Sequence, residues 1–354
     1  MNKIYTGKEK PLLLFSALDW GLGHVTRSIS LLREFQEKGW EIIVACNSSQ
    51  KGIFSAEIDG LKFVNLSGAK INYAATGWLT RFSLALSAPK NLIQIKKETS
   101  WVRDFLAENR VDLLISDNRY GFRHPSIQSV FITHQLYVIT GFGRIIDRLL
   151  QRVLYRHINK FNECWVPDEE INGLAGRLSH PLINPAIPVK YIGYLSRLDI
   201  CETANPLPWG GLSPEAKGGG FIYDYCILLS GPEPQRTILE KKIIKEFSGR
   251  NKRVILIRGL PDVSELLNAD SISIINYASS IELNRLICSS EYIICRSGYS
   301  SIMDLIKLKK KMILIPTPGQ AEQEYLADYL SANKYAVSIR QDEVSFKTIL
   351  NCLL

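Results

Sequence analysis

Short apolar segments recur along this chain of 354 residues and alternate with longer segments of helical pattern. Several of the apolar segments are continuous runs of Val, Ile and Leu, which is typical of strands covered on both faces. In the first half we predict strands at 12–17, 41–46, 62–66, 112–116, 129–133, 163–166 and 189–195, and helices at 26–38 and 92–109. Alternating strands and helices favour an α/β fold with a doubly wound parallel sheet.

A second alternating block follows a stretch rich in Pro and Gly at 205–220, which we interpret as a linker or exposed loop. We predict strands at 225–230, 253–258, 272–275, 292–295 and 311–316, and helices at 235–247, 280–289, 300–308 and 322–332. The length also favours two domains. We therefore expect two Rossmann-like domains, 1–197 and 198–354, facing each other across a cleft where ligands bind.

Composition excludes several classes of protein. With 46% hydrophobic and 22% charged residues the chain is typical of soluble globular proteins. No run approaches the roughly 18 apolar residues of a membrane span, and the first apolar run ends at Asp19, so we interpret it as a strand and not a signal peptide. The seven cysteines have no paired spacing, which predicts reduced thiols in a cytoplasmic protein and no zinc or other metal site.

The net charge of +8 falls entirely within residues 1–198, whereas residues 199–354 have equal numbers of basic and acidic residues. A basic half indicates an anionic partner such as lipid headgroups, phosphate or nucleic acid. Basic and apolar residues interleave in two stretches, 78–97 and 144–160. Such stretches suit the anionic inner face of the plasma membrane, although an ordinary surface helix packed on its own domain explains the pattern equally well.

The segment 295–304 is predicted to form a strand, a turn of small residues and a helix. Unpaired N–H groups and hydroxyls at a helix N-terminus favour a phosphate, and a carboxylate one turn into the helix could reach sugar hydroxyls. A polar loop follows the next strand. We therefore expect a nucleotide-sugar site built from Arg296, Ser297, Gly298, Ser300, Ser301, Asp304, Gln320, Gln323 and Glu324.

Two more loops follow predicted strands of the second half. Ser230 and Gly231 could give backbone donors to a phosphate, although the nearby prolines lack N–H groups and a simple turn is a fair alternative. Tyr277 and Ala278 could flank a planar base.

In the first half, a glycine turn with Gly21 and Gly23 precedes His24. A dinucleotide fingerprint would have a third glycine where Thr26 stands, so a nicotinamide dehydrogenase is disfavoured. We expect His24 to point into the cleft, where an imidazole can take a proton near neutral pH. Positioning of the substrate and capping of the helix are the alternatives for this histidine.

Polar residues follow three strands of the first half. Asp19 or Asp117 could orient His24 or bind acceptor hydroxyls, because a carboxylate behind a histidine holds its tautomer. His134 and Gln135 follow the strand at 129–133, so we expect them at the rim of the cleft.

These motifs resemble those of GT-B glycosyltransferases of family 28, in particular the MurG-like enzymes of peptidoglycan synthesis. The resemblance covers most of the chain and is strongest at 293–325, then at 21–27. It implies that the second half binds a UDP-sugar as co-substrate, with no cofactor, and that the first half binds the acceptor, often a lipid-linked sugar.

The resemblance also implies residue roles. Ser297, Gly298 and Ser300 match the diphosphate turn of the family, and Asp304 stands where the family has a glutamate that holds the ribose. Gln323 matches a donor-sugar glutamine, whereas Glu324 replaces a second one, so the sugar preference is not transferable.

Further matches concern the base and the acceptor. Tyr277 and Ala278 match the uracil-contacting loop, and His24 matches the histidine of the glycine loop. His134 and Gln135 resemble a His-Glu-Gln acceptor motif without its glutamate. The expected acceptor residues are thus Gly21, Gly23, Thr26, His134 and Gln135.

The expected reaction is inverting transfer of a hexosyl group to a hydroxyl, with His24 as base. The chain has no Asp-x-Asp motif, which fits leaving-group stabilisation by helix dipoles without an obligatory metal. The alternatives are a nucleotide-sugar epimerase or hydrolase on the same fold, and a non-catalytic binding protein. Nucleic-acid binding is disfavoured, because the basic stretches show no base-stacking motif.

Overall fold

The computed structural model describes residues 10–19, 23–66, 88–200, 221–265, 267, 269 and 271–353, with only the backbone of 88–91. The segment 78–87 of the first basic stretch and Gly21 therefore lie outside the described residues.

The first domain is built on a parallel sheet of seven strands in the order β3-β2-β1-β4-β5-β6-β7. The strands are β1 Leu12–Ala17, β2 Glu41–Cys46, β3 Lys62–Asn65, β4 Leu113–Asp117, β5 Gln128–Ile132, β6 Glu163–Val166 and β7 Val189–Tyr191. The helices are α1 Gly23–Glu37, α2 Ser48–Glu57, α3 Ala88–Glu108 and α4 Arg144–Ile158.

The second domain is built on a parallel sheet of six strands in the order β10-β9-β8-β11-β12-β13. The strands are β8 Tyr223–Leu228, β9 Val254–Ile257, β10 Ile272–Ile275, β11 Ser290–Cys295, β12 Lys311–Leu314 and β13 Val337–Ser338. The helices are α5 Gln235–Phe247, α6 Ser280–Cys288, α7 Tyr299–Lys307, α8 Ala321–Ala332 and α9 Phe346–Asn351.

The strand register sets the position of the cleft. In the first sheet Ala17 pairs with Asp117, and Asp117 pairs with Ile132, so the carboxyl ends of β1, β4 and β5 are level. In the second sheet Cys295 pairs with both Leu228 and Leu314. The loops that follow these central strands therefore gather at one edge of each sheet, where the strand order reverses.

The burial of apolar side chains on both faces of the sheet explains why the strands can be predicted from the sequence. Leu13, Leu14, Phe15 and Ala17 of β1 are wholly buried, as expected for a strand with helices on both faces. One core cluster extends from the first domain into the second and includes Ile29 of α1 and residues of α7. The two domains are thus packed against each other through α1 and α7.

The doubly wound α/β prediction is confirmed, and most predicted elements lie within a few residues of the observed ones. The sequence did not predict α2, β13 or α9. Helix α2 begins with a capping box, in which the Asn47 side chain accepts from the Gln50 N–H and the Gln50 side chain accepts from the Asn47 N–H. The expected domain boundary at 197/198 falls between β7 and β8.

Two other expectations concern cysteines and the membrane. Free thiols are found at Cys46, Cys164, Cys226, Cys295 and Cys352. Cys288 departs from the expected reduced state, because it is disulfide-bonded. Within the described ranges no helix is both long and apolar enough to cross a membrane.

Candidate active site between the two domains

His24 and Asp117 form a hydrogen-bonded pair at the edge of the first sheet. His24 is the second residue of α1 and Asp117 is the last residue of β4, and His24 Nδ1 lies 3.0 Å from Asp117 Oδ1. The side chain of Asp117 is 1% exposed and that of His24 is 16% exposed. The carboxylate is therefore sealed behind an imidazole that still reaches solvent.

Arg27, which is not among the site residues predicted from the sequence, lies beside this pair. Its Nε donates to Asp117 Oδ2 at 2.8 Å, and its NH2 also donates to Asp117 Oδ1. The same NH2 lies 2.9 Å from His24 Nδ1, and NH1 lies 3.1 Å from His134 Nδ1. One guanidinium thus contacts a carboxylate and two imidazoles.

The charges of the cluster set its protonation. Burial by itself would raise the pKa of Asp117, but the neighbouring Arg27 and His24 outweigh it and hold the pKa of Asp117 well below its ordinary value. Burial, and then the positive charge of Arg27, lower the pKa of His24, while Asp117 partly opposes them. Asp117 is thus an anion and His24 a neutral imidazole at neutral pH.

His134 reaches from the first domain to the second. It follows β5, its Nε2 lies 2.8 Å from Glu322 Oε1, and its ring stacks on Tyr299 at 4.4 Å between centroids. Gln135 also bonds to Glu322, and these contacts lower the pKa of Glu322 although burial alone would raise it. Glu322 was not predicted as a site residue.

The start of α7 faces the first domain. Gly298 precedes the helix and has no side chain to cap it, and a Cβ at this position would meet no atom within 4 Å. The first N–H groups of a helix have no partner within the helix. Ser300 Oγ donates to the Gly23 carbonyl at 2.9 Å, so this opening lies next to the loop of His24. Ser301, the next residue, is half-buried.

Other predicted donor-site residues hold the neighbouring loops. Ser297 Oγ donates to the Gln323 carbonyl at 2.7 Å, and the Gln323 side chain accepts from the Thr317 N–H at 2.9 Å. Glu324 Oε1 accepts from the Gly319 N–H at 2.8 Å. Gln320 lies at the N-cap of α8.

Asp304 and Arg296 lie deeper than the turn between them. Asp304 Oδ1 accepts from Ser196 Oγ at 2.5 Å, and burial raises the pKa of Asp304 to about 6 despite this bond. Arg296 is 1% exposed. Its guanidinium donates to the carbonyls of Ile315, Pro316 and Gln235 and to the side chain of Gln341. These bonds tie Arg296 into the interior of the second domain.

The remaining predicted donor-site residues lie in two loops that follow strands of the second sheet. Ser230 and Gly231 follow β8 and are exposed, and Gly231 has φ +98°. Between β10 and α6, Tyr277 is half-buried and Ala278 is buried.

In the first domain, Thr26 Oγ1 donates to the Gly23 carbonyl at 3.2 Å. Asp19, which follows β1, accepts from Asn47 Nδ2 at 3.4 Å. The structure thus brings His24, Asp117 and His134 together and joins them to the start of α7 through Gly23 and Ser300.

Comparison with known proteins agrees with this architecture. Residues 235–354 match the glycosyltransferase family 28 C-terminal domain. The UDP-N-acetylglucosamine--N-acetylmuramyl-(pentapeptide) pyrophosphoryl-undecaprenol N-acetylglucosamine transferase of Haemophilus ducreyi is 21% identical over 342 residues, covering 94% of this chain and 86% of that protein. The enzyme of the same name from Clostridium tetani is 24% identical over 352 residues, with the same coverage.

Among solved structures, the glycotransferase of kitacinnamycin superposes with a TM-score of 0.65 at 13% sequence identity. The superposition covers 98% of this chain and 90% of that chain, so the likeness extends over both domains. Neither the sequence matches nor the structural ones favour an epimerase, a hydrolase or a non-catalytic binding protein. The chain is therefore a glycosyltransferase with the GT-B fold, and its residues 235–354 match the family 28 C-terminal domain.

Proposed function

We propose that this enzyme transfers a hexosyl group from a UDP-sugar to an acceptor hydroxyl with inversion at the anomeric carbon. The observation that carries the proposal is the 2.9 Å bond from Ser300 Oγ to the Gly23 carbonyl. It brings the uncapped start of α7 against the residue that precedes His24. The names of the Haemophilus and Clostridium relatives, which are UDP-N-acetylglucosamine transferases, support a UDP-sugar donor.

The donor diphosphate would bind at the start of α7. A helix N-terminus offers N–H groups and the positive end of the helix dipole to an anion. The open space at Gly298 leaves room for it, and the hydroxyl of Ser301 could add a donor, whereas that of Ser300 already donates to Gly23. Preorganised dipoles of this kind stabilise the departing UDP without requiring a metal ion.

His24 would act as the general base. With Nδ1–H donated to Asp117, Nε2 is unprotonated and can accept the proton of the acceptor hydroxyl. The acceptor oxygen then bonds to the anomeric carbon while the bond from that carbon to the β-phosphate oxygen breaks, and its electron pair leaves with UDP. Asp117 stabilises the imidazolium that forms.

The donor sugar and the acceptor are proposed only as classes. Glu324 is bound to the Gly319 N–H and Gln323 to the Thr317 N–H, so their side chains shape the loop beside the expected sugar position. We propose a hexosyl donor, and an acceptor that is lipid-linked or part of a cell-envelope glycan.

Helix α4 supports a peripheral contact with the membrane. Its apolar residues Ile145, Ile146, Leu149 and Val153 are 77%, 46%, 54% and 42% exposed, whereas its buried face includes the polar Asp147 and Gln151. Four exposed arginines lie on the same helix, at 144, 148, 152 and 156. This combination fits an anionic lipid surface on the cytoplasmic side.

Replacing Gly298 tests the donor site. Because a Cβ at Gly298 meets no protein atom, Gly298→Ala should cost the fold only the weaker N-cap of Ala, about 1 kcal/mol, but lower UDP affinity about tenfold in calorimetry. Gly52→Ala is the matched control, since Gly52 also has open space around its Cβ position. UDP affinity that is equal in the two variants and the wild type would move the diphosphate away from α7.

Replacing His24 tests the catalytic assignment. His24→Gln should lower the turnover of a UDP-hexose with an acceptor by about 10² to 10⁴-fold, the usual contribution of a general base, while UDP still binds. His124→Gln is the control, because His124 lies in the connection that enters β5, at the opposite edge of the sheet. Donor incubated alone should hydrolyse only slowly, and unchanged turnover in His24→Gln would remove His24 from the mechanism.

Vesicle binding tests the membrane contact. We expect the protein to sediment with vesicles of phosphatidylglycerol and phosphatidylcholine but not with phosphatidylcholine alone. Leu149→Glu should abolish sedimentation, whereas Leu182→Glu, at a fully exposed residue outside α4, should not. Equal sedimentation of all three proteins would exclude α4 as the contact.

A further inference from the structure

We propose that Arg27 is a positioning residue that couples closure of the two domains to the catalytic readiness of His24, acting through His134 and Glu322. The inference rests on the proposed function, since it assumes that His24 is the base. It assigns a role to a residue of the first domain and to a residue of the second that no sequence motif singled out.

Arg27 is built into the site as a buried cation. It is 3% exposed, and its two bonds to Asp117 supply the counter-charge that a buried guanidinium requires. A guanidinium has donors only, so a contact between Arg27 and a ring nitrogen is a hydrogen bond only where that nitrogen is an acceptor. The remaining contacts, of NH2 with His24 Nδ1 and of NH1 with His134 Nδ1, are therefore informative about the two rings.

The hydrogen-bond roles of the two His134 nitrogens follow from this. Because Arg27 NH1 lies 3.1 Å from Nδ1 and can only donate, Nδ1 is the acceptor and the ring proton lies on Nε2. Nε2–H then donates to Glu322 Oε1 at 2.8 Å, and Glu322 is ionised because its pKa is lowered. The hydrogen bonds run in one direction, from Arg27 to His134 to Glu322.

This chain of bonds crosses the cleft. Glu322 lies in the first turn of α8, in the second domain, and His134 also stacks on Tyr299, the first residue of α7. Both contacts are lost when the domains separate. The position of His134, and with it the contact between His134 and Arg27, therefore depends on whether α7, the helix that would hold the diphosphate, is in place.

At the other end of this series of hydrogen bonds, the orientation of the Arg27 guanidinium determines the tautomer of His24. His24 Nδ1 lies between two groups, Arg27 NH2 at 2.9 Å and Asp117 Oδ1 at 3.0 Å. If Nδ1 accepts from Arg27, the proton is on Nε2 and His24 cannot be a base. If Nδ1–H donates to Asp117, Nε2 is free. With NH1 held against His134, Nε and NH2 of Arg27 both donate to Asp117, and Oδ1 of that carboxylate is left to accept from Nδ1–H, which favours the second state.

A double-mutant cycle tests the coupling. Arg27→Lys and Glu322→Ala should each lower kcat about tenfold, and the double variant should be no slower than Arg27→Lys alone, because both break one chain of contacts. UDP affinity should change less than kcat in each variant. If the loss of kcat in the double variant equals the product of the losses in the two single variants, the proposal is overturned.

Two further measurements separate positioning from a merely structural role. Glu322→Gln keeps an oxygen that accepts from His134 Nε2–H, so it should retain most of the kcat that Glu322→Ala loses. Arg27→Gln removes the positive charge near His24, and the acid limb of the kcat–pH profile should move to higher pH. The charged and titratable groups that face His24 are Arg27, Asp117, His134 and Glu322, and the last three are unchanged in this variant.

Arg119→Lys is the matched control. Arg119 is equally buried in the first domain and bonds to Glu98 at 3.0 Å, so its replacement should affect stability but not the pH profile, and should combine multiplicatively with Glu322→Ala. If Arg27→Lys does not fold, the Glu322→Ala and Glu322→Gln pair decides alone: equal kcat in these two overturns the inference. Full turnover in His24→Gln would instead defeat the proposed function.

Discussion

The carboxylate of Glu57 caps a helix of the opposite domain. Glu57 ends α2, and its Oε1 accepts from the N–H and the hydroxyl of Ser280, the first residue of α6, at 2.9 and 2.6 Å. Its side chain is 5% exposed, and Arg33 NH2 lies 3.2 Å from the other carboxylate oxygen. An anion at a helix N-terminus is favoured by the helix dipole. This contact therefore holds the second domain on the first.

Removing that cap should weaken the docking of the domains. We expect Glu57→Ala to lower the free energy of unfolding by about 1 to 3 kcal/mol, since it leaves buried donors unpaired, and Glu57→Gln to lower it less. Urea denaturation measures the change. Glu34→Ala removes an exposed i,i+4 pair with Lys38 and should cost under about 1 kcal/mol. Equal losses at the two positions would contradict a special role for Glu57.

The pH dependence of turnover should follow His24. Burial and the charge of Arg27 lower the pKa of His24 from its ordinary 6.5, so the base is lost only as the pH falls below that value. We expect the acid limb of kcat/KM to lie below pH 6.5 and to move still lower in Asp117→Asn, because the carboxylate raises the pKa of His24. An acid limb above pH 7 in the wild type would contradict the assignment.

The level carboxyl ends of the strands are the part of the site that the sequence could predict. Continuous apolar runs identified β1, β4 and β5, and the topology then placed His24, Asp117 and His134 at one edge. Arg27 and Glu322 could not be predicted in the same way. Their partners lie 90 and 188 residues away along the chain, and no local pattern distinguishes a buried arginine or glutamate from an exposed one.

The elements that were missed are short or polar. Helix α2 has few apolar residues and begins with the Asn47 capping box, and β13 has only two residues. The interior position of Arg296 could not be predicted from the sequence, for a different reason. Its partners are mostly backbone carbonyls, which every sequence possesses.

Asp304 should lower the stability of the fold at neutral pH, because its carboxyl is buried. Burial raises its pKa to about 6, so the folded state holds the proton more tightly than the unfolded state does. The stability that comes from the protonated group is complete below about pH 4 and is lost as the pH rises through 6.

Asp304→Asn tests this. The amide oxygen can still accept from Ser196 Oγ, so we expect a higher melting temperature than wild type at pH 8 and no difference at pH 4. UDP affinity should fall at both pH values if Asp304 holds the ribose. A variant with wild-type melting temperatures at pH 8 would contradict the buried charge, and one with wild-type UDP affinity would contradict the ribose contact.

Arg296 should contribute to stability more than to binding. Arg296→Met leaves the carbonyls of Ile315, Pro316 and Gln235 without this donor, and we expect a loss of about 2 to 4 kcal/mol in the free energy of unfolding. Arg253→Met, at an exposed pair with Asp224, should cost under about 1 kcal/mol. Calorimetry on the folded variants should give UDP affinities within about threefold of wild type. A tenfold loss of UDP affinity in Arg296→Met without a loss of stability would instead place the guanidinium in the donor site.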